Sequence, residues 1–191
     1  MTEAHRRKKQ PDVLRPQLLQ SAAQLALEAG LRAVTLDAVA SRAGVSKGGL
    51  QHHFPSKQAL LDALFDEAVD TFSQDVATAS EADAEPAGRA ARAYIHATLH
   101  DAAQAATASY LHLLLALMLT DADTRERWLP RIAEITRPDP LPDAQAAQLM
   151  ICRLAADGLW LSDLLGNQSM PPSLRAEVLR QLDGMTRGGQ Q

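Results

Sequence analysis

Apolar positions along this chain recur at helical spacing almost throughout. Leu18, Ala22, Leu25 and Ala29 follow one another at +4, +3 and +4, one face of an amphipathic helix that Gly30 closes. Pro16 is expected in its first turn, where the missing N–H costs nothing. Thr35 reads as the cap of a short helix carrying Leu36, Val39, Ala40 and Ala43, ended by Gly44. Ser46 caps another short helix through Leu50 to about His53. Pro55 blocks its continuation, and Ser56 caps a long helix bearing Leu60, Leu61, Leu64, Phe65, Ala68, Val69 and Phe72. Residues 79–88 look like a loop. Helical patterns follow at 87–104, 107–120, 124–136, 143–166 and 172–186, with a proline-broken stretch from Arg137 to Asp143 before the fourth. Residues 1–10 have no periodicity. No segment alternates as a strand does, so the expected fold is all-α, with about nine helices.

Charge divides the chain where the pattern does. Residues 1–57 hold nine basic and four acidic side chains, a net of +5, within a protein whose total is −4. The remainder therefore carries −9, and every lysine lies in the first part. A small basic module followed by an acidic body points to a nucleic-acid partner for the first part only. The single cysteine, Cys152, excludes a disulfide framework and fits a reducing cytoplasm. The longest apolar run, near Leu113 to Leu119, falls far short of the roughly 20 residues of a membrane span, and no export signal follows the basic start. No nucleophile–base pair stands out, which argues against an enzyme, and nothing implies a cofactor.

Thr35 to Phe54 (TLDAVASRAGVSKGGLQHHF) carries the functional information. Two short capped helices meet at Gly44-Val45, the layout of a helix-turn-helix whose second helix enters the major groove. Ser46 and Lys47 are placed for a DNA phosphate. Gly48 and Gly49 each cost about 1 kcal/mol relative to alanine inside a helix, a cost offset if bare backbone must approach DNA closely. Leu50 and Phe54 should lock the helix inward and leave Lys47, Gln51 and His52 facing out. Thr35, Val45, His53 and Lys57 complete the expected DNA-binding set, with Lys57 aimed at a backbone phosphate. The arm from Arg6 to Lys9 is either a solvated tail or a further DNA contact.

These residues resemble the TetR/AcrR family of transcriptional regulators. The likeness runs from Leu18-Leu19, Ala22-Ala23, Leu25 and Gly30 through Ala43-Gly44-Val45-Ser46-Lys47-Gly48 to His53-Phe54, Ser56-Lys57 and Leu60, about a third of the chain. It implies a ligand-responsive regulator, most simply a repressor, with residues 1–57 as DNA-binding head and 58–191 as effector and dimerisation body. Where the family usually carries an aromatic residue, commonly tyrosine, this chain has Gln51, which can instead pair bidentately with an adenine edge.

The resemblance also implies an effector cavity in the body. Candidates for its lining are Phe72, Tyr94, His96, His100, Tyr110, Met118, Trp128, Asp157 and Trp160. His96 and His100 have i, i+4 metal-ligand spacing, with His112 on the next helix, but no further ligand pattern accompanies them. Met150, Leu154, Gly158, Leu161 and Leu165 form a continuous apolar face suited to a four-helix homodimer interface. Arg153, one turn before Asp157, is expected to pair with it, or else Asp157 meets a cationic ligand. The segment 110–119, apolar nearly all round, should be buried centrally. The expected partners are thus double-stranded DNA, an unidentified small-molecule effector and a second copy of the chain, with no membrane. Other readings are a metal-sensing or activating regulator of the same fold and a helical protein-interaction module.

Overall fold

The computed structural model describes residues 11–99, 114–164 and 170–188, and among these every regular element is helical. The helices are α1 (Pro11–Ala29), α2 (Leu36–Arg42), α3 (Lys47–Gln51), α4 (Lys57–Ala82), α5 (Arg89–Leu99), α6 (described over 114–120), α7 (Ala122–Ile135), α8 (Asp143–Leu164) and α9 (Pro172–Thr186). The arm at Arg6–Lys9 and the residues His100, Tyr110, His112 and Leu165 lie outside the described residues.

Local chemistry fixes the boundaries. Thr35, Ser46 and Ser56 each accept a hydrogen bond from the backbone N–H three residues on, at 3.1, 3.1 and 3.0 Å, so each satisfies a donor that its helix leaves unpaired. Gly30 and Gly44 take φ of +77° and +67°, the left-handed conformation that ends a helix cheaply only at glycine. Three expectations from spacing differ from the structure. Helix α1 begins at Pro11, so Pro16 stands inside it and removes one backbone donor. The buried face of α1 is Leu18, Leu19, Ala22 and Ala26, with Leu25 half-buried and Ala29 exposed. Helix α4 also runs on through Ala82, absorbing the first part of the expected 79–88 loop.

One core runs along α4 from end to end of its buried face. It begins among Leu18, Val39, Leu50 and Phe54, continues through Leu60, Leu64, Phe65 and Val69, and ends against Leu114, Met118 and Trp128. Trp128 stacks on Phe65 with ring centroids 4.3 Å apart, and its indole N–H donates to Asp62 at 2.8 Å. Such pairs contribute about 0.5–1.5 kcal/mol beyond the area they bury. A second core joins Cys152 and Leu159 of α8 to Leu182 of α9, with Ile95 and Leu99 of α5 packed against it. The end of α6 departs from expectation: Leu114 and Met118 are buried, but Leu119 is 83% exposed.

Arg92 ties the end of α4 to the end of α9. Its guanidinium, 8% exposed, donates to the Asp83 carboxylate and to the carbonyls of Glu85, Ala87 and Thr186. Gly88 (φ +68°) makes this junction possible, because a Cβ there would lie 2.0 Å from the Thr186 carbonyl oxygen. Asp83 is held below the ordinary carboxylate range, first by the bond from Arg92 and then by the Glu85 backbone N–H.

Candidate nucleic-acid interface

Helices α2 and α3 meet through a turn in which the Val45 N–H donates to the Ala40 carbonyl at 2.9 Å. Leu50 is fully buried and Phe54 nearly so, with Val45 half-buried against the same core. Arg15 of α1 lies over the Phe54 ring at 5.3 Å. These contacts fix α3 although five residues cannot hold a helix by themselves. What α3 presents outward is Ser46, Lys47, Gly48, Gln51 and His52, with Gly49 and His53 half-buried and the two imidazoles edge to face. A Cβ at Gly48 would meet no atom of the described residues within 4 Å beyond its chain neighbours and its own helix backbone. Nothing inside the molecule requires glycine at that position.

The cations of the head are less free than their sequence suggests. Lys47 donates to Asp37 at 2.9 Å, with both side chains more than half exposed. Arg42 forms a two-pronged pair with Glu28, and the bond from Arg42 is the main reason the Glu28 carboxyl is held low. Lys57 is half-buried and donates to the Leu31 carbonyl at 3.1 Å, so it braces the α1–α2 turn as it stands. Arg32, not among the expected DNA contacts, is exposed and forms no ion pair among the described residues. Its only signal was a positive charge two residues after the turn glycine Gly30.

The expected pocket residues of the body fall into separate places. Phe72 packs edge-on against Tyr94 at 5.4 Å, and the Tyr94 hydroxyl donates to Asp157 at 2.9 Å. Burial, with the Asp157 charge next, pushes the Tyr94 phenol far up, and burial likewise raises the Asp157 carboxyl. Trp160 is half-buried one turn further along α8. Met118 and Trp128 belong instead to the α4 core. Arg153 does not form the expected ion pair with Asp157. It reaches across to the Arg137 carbonyl at 3.0 Å and the Asp139 carboxylate at 2.9 Å, where both side chains are nearly buried, and its guanidinium covers the Tyr94 ring. The proline-rich loop folds back over α8, which helical spacing alone does not reveal.

A cleft of about 610 Å³ lies between α4, α5 and α9. Asp75 and Thr78 line it from α4, His96 and Leu99 from α5, and Leu179 and Asp183 from α9. Of the described residues expected to line a pocket, His96 is the one found there. Among the described residues no group of three or more His, Cys, Asp or Glu is arranged to hold a metal ion. Likewise, none of their helices is long and apolar enough to cross a membrane.

Helix α8 carries an outward apolar stripe. Ile151, Leu154 and Leu161 are 56%, 60% and 47% exposed, and Ala147 and Gly158 continue the line at +4, +3, +4, +3. Met150, expected on this face, is half-buried, and Ile151 takes its place. Leu174 of α9 is also half exposed.

A family model described as bacterial regulatory proteins, tetR family, matches residues 18–64. A second, described as tetracyclin repressor-like, C-terminal domain, matches residues 88–187. The chain is similar to the HTH-type transcriptional repressor KstR2 of Rhodococcus jostii, 46% identical over 50 residues. That match covers 26% of this chain and spans only 24% of the relative's length. It is 29% identical over 189 residues to the HTH-type transcriptional regulator BetI of Serratia proteamaculans, covering 91% of this chain and 95% of that one. In fold it is similar to a transcriptional regulator from Rhodococcus sp. Rha1, with a TM-score of 0.70 at 22% identity, covering 95% and 97% of the two chains.

Proposed function

The chain belongs to the TetR family of bacterial transcriptional regulators, and on that premise we propose that it is a homodimeric repressor released from a palindromic operator by a small-molecule effector. Residues 1–57 act as the DNA-binding head and 58–191 as the body. The observation that carries this reading is the outer face of α3. It is locked in place by Leu50 and Phe54, and bare at Gly48 although the protein's own packing leaves room there for a side chain. Gln51 and His52 flank that bare patch and reach base edges once the backbone seats in the major groove. Lys47 exchanges Asp37 for a phosphate, and Ser46 and Thr35 border the same contact.

Two heads are needed to read a palindrome, with recognition helices about 34–36 Å apart. The apolar stripe Ala147, Ile151, Leu154, Gly158 and Leu161 supports pairing with a second copy through α8. The effector enters the cleft between α4, α5 and α9. Helix α4 joins that cleft, at Asp75 and Thr78, to the head at Lys57 without a break. At 1.5 Å per residue its 26 residues span about 39 Å, so a tilt set at the cleft is felt at the head. Coupling of this kind is typically about 1–3 kcal/mol and reciprocal, so operator DNA weakens effector binding by the same factor.

Selection of bound duplexes from random DNA tests the reading. The expected product is an inverted repeat whose half-sites are one helical turn apart. Recovery of no enriched sequence after repeated rounds refutes it.

A further inference from the structure

We propose that a second, smaller cleft, on the far side of the Gly88–Thr186 contact, binds a compact monocarboxylate through Arg89. This cleft holds about 370 Å³ between the start of α5, the Arg137–Asp143 loop with the first turns of α8, and the end of α9. That volume is within the usual range for small-molecule sites.

The polar inventory of its walls picks out one residue. Asp139 is engaged by Arg153, and Arg187 is engaged by Asp183 and Glu85. Gln148 donates to the Met185 carbonyl at 2.6 Å, and the Thr186 carbonyl accepts from Arg92. Gln145 is neutral and exposed. Arg89 is the one charged lining group that no carboxylate pairs with among the described residues, and its Nε is buried with no hydrogen-bond partner there. An unmet guanidinium N–H in a buried position is costly. A planar pair of anionic oxygens pairs best with two parallel N–H groups of a guanidinium, here those of the two Nη atoms, because the Nε has no exposed surface.

Charge and shape narrow the class. One unpaired cation matches a single negative charge, because the other charged groups on the walls already have partners. Most of the remaining surface is apolar: Leu149 is 6% exposed, Leu141 is 43% exposed, and Pro86, Pro140 and Met185 stand with them, beside the neutral amides of Gln145 and Gln148. The ligand is therefore a carboxylate on a short apolar body. The site is separate from the larger cleft, with which it shares only Arg187 among the lining residues. Gly88 and the Thr186 carbonyl stand too close for a side chain to fit between them. This inference does not depend on DNA binding.

Its test uses the full chain without DNA. Benzoate serves as the probe and benzamide, of the same shape without the charge, as its control. Millimolar benzoate should raise the melting temperature and slow amide exchange in 86–90 and 139–149, and benzamide should do neither. Arg89→Gln should weaken benzoate binding about tenfold or more, the loss of a charge-assisted bond, and Arg89→Lys should restore part of it. Equal effects of benzoate and benzamide overturn the proposal. So does undiminished binding by Arg89→Gln, or protection centred on 75–82 instead. If Arg89→Gln does not fold, the benzoate–benzamide comparison and the exchange map on the unaltered protein decide the matter.

Discussion

Replacing Gly48 with alanine separates what the protein's own fold requires from what its partner requires. The position is helical and exposed, and the added methyl would touch no described atom within 4 Å beyond its own helix backbone and chain neighbours. Removing glycine's extra freedom from the unfolded chain should therefore stabilise the protein by about 0.4–1 kcal/mol. For a chain of this size each kcal/mol raises the melting temperature by about 2–4 °C. If α3 seats its bare face against DNA, the same methyl is forced into a closed interface. Overpacking of that kind costs about 1–3 kcal/mol, a loss of roughly 5- to 150-fold in operator affinity. Calorimetry gives the first quantity, and anisotropy titration of a labelled selected duplex gives the second. A protein that is more stable and binds DNA as well as before would refute the claim that this face meets the duplex. A protein that is less stable would refute the reading of Gly48 as free of internal constraint.

Other perturbations probe other parts of the account. Lys47→Gln should lower the slope of log affinity against log salt by about 1, whereas Asp37→Asn, which frees Lys47, should tighten duplex binding. An unchanged slope would remove Lys47 from the phosphate contacts. Ile151→Glu or Leu154→Glu should convert a dimer to a monomer in sedimentation while leaving the helical circular dichroism intact, and an unaltered mass would move the interface elsewhere. Burial holds the Asp157 carboxyl above its ordinary value, so the ionised form weighs against the folded state. That cost is absent when both states are protonated and grows as pH rises through the folded-state pKa. Asp157→Asn keeps an acceptor for the Tyr94 hydroxyl. It should therefore melt higher than the unaltered protein at about pH 7, with the difference closing towards about pH 4; a gap that widens on acidification would contradict the assigned direction.

The head was largely legible because its determinants are local. The caps at Thr35, Ser46 and Ser56 and the left-handed turns at Gly30 and Gly44 depend on residues within a few positions of one another. The buried faces of α3 and α4 followed from spacing for the same reason. The body was less legible because its contacts join distant segments. Nothing near Arg92 in sequence announces the Thr186 carbonyl, and nothing near Arg153 favours Asp139 over Asp157, which sits one turn away on the same helix. The aromatic residues expected to share a pocket part company because α4 is long enough to carry Phe65 and Phe72 into different neighbourhoods, one against Trp128 and the other against Tyr94. A one-residue shift on α8, from Met150 to Ile151, shows how far a face can be misread when both neighbours are apolar.

Titration of the full chain into a selected inverted-repeat duplex and into a scrambled duplex of equal length, over a range of salt, bears on the central claim most directly. The account predicts two protomers per inverted repeat, clear preference for it over the scrambled sequence, and affinity that falls linearly with salt on logarithmic axes. Equal binding to both duplexes in dilute buffer, or binding to neither, would contradict it.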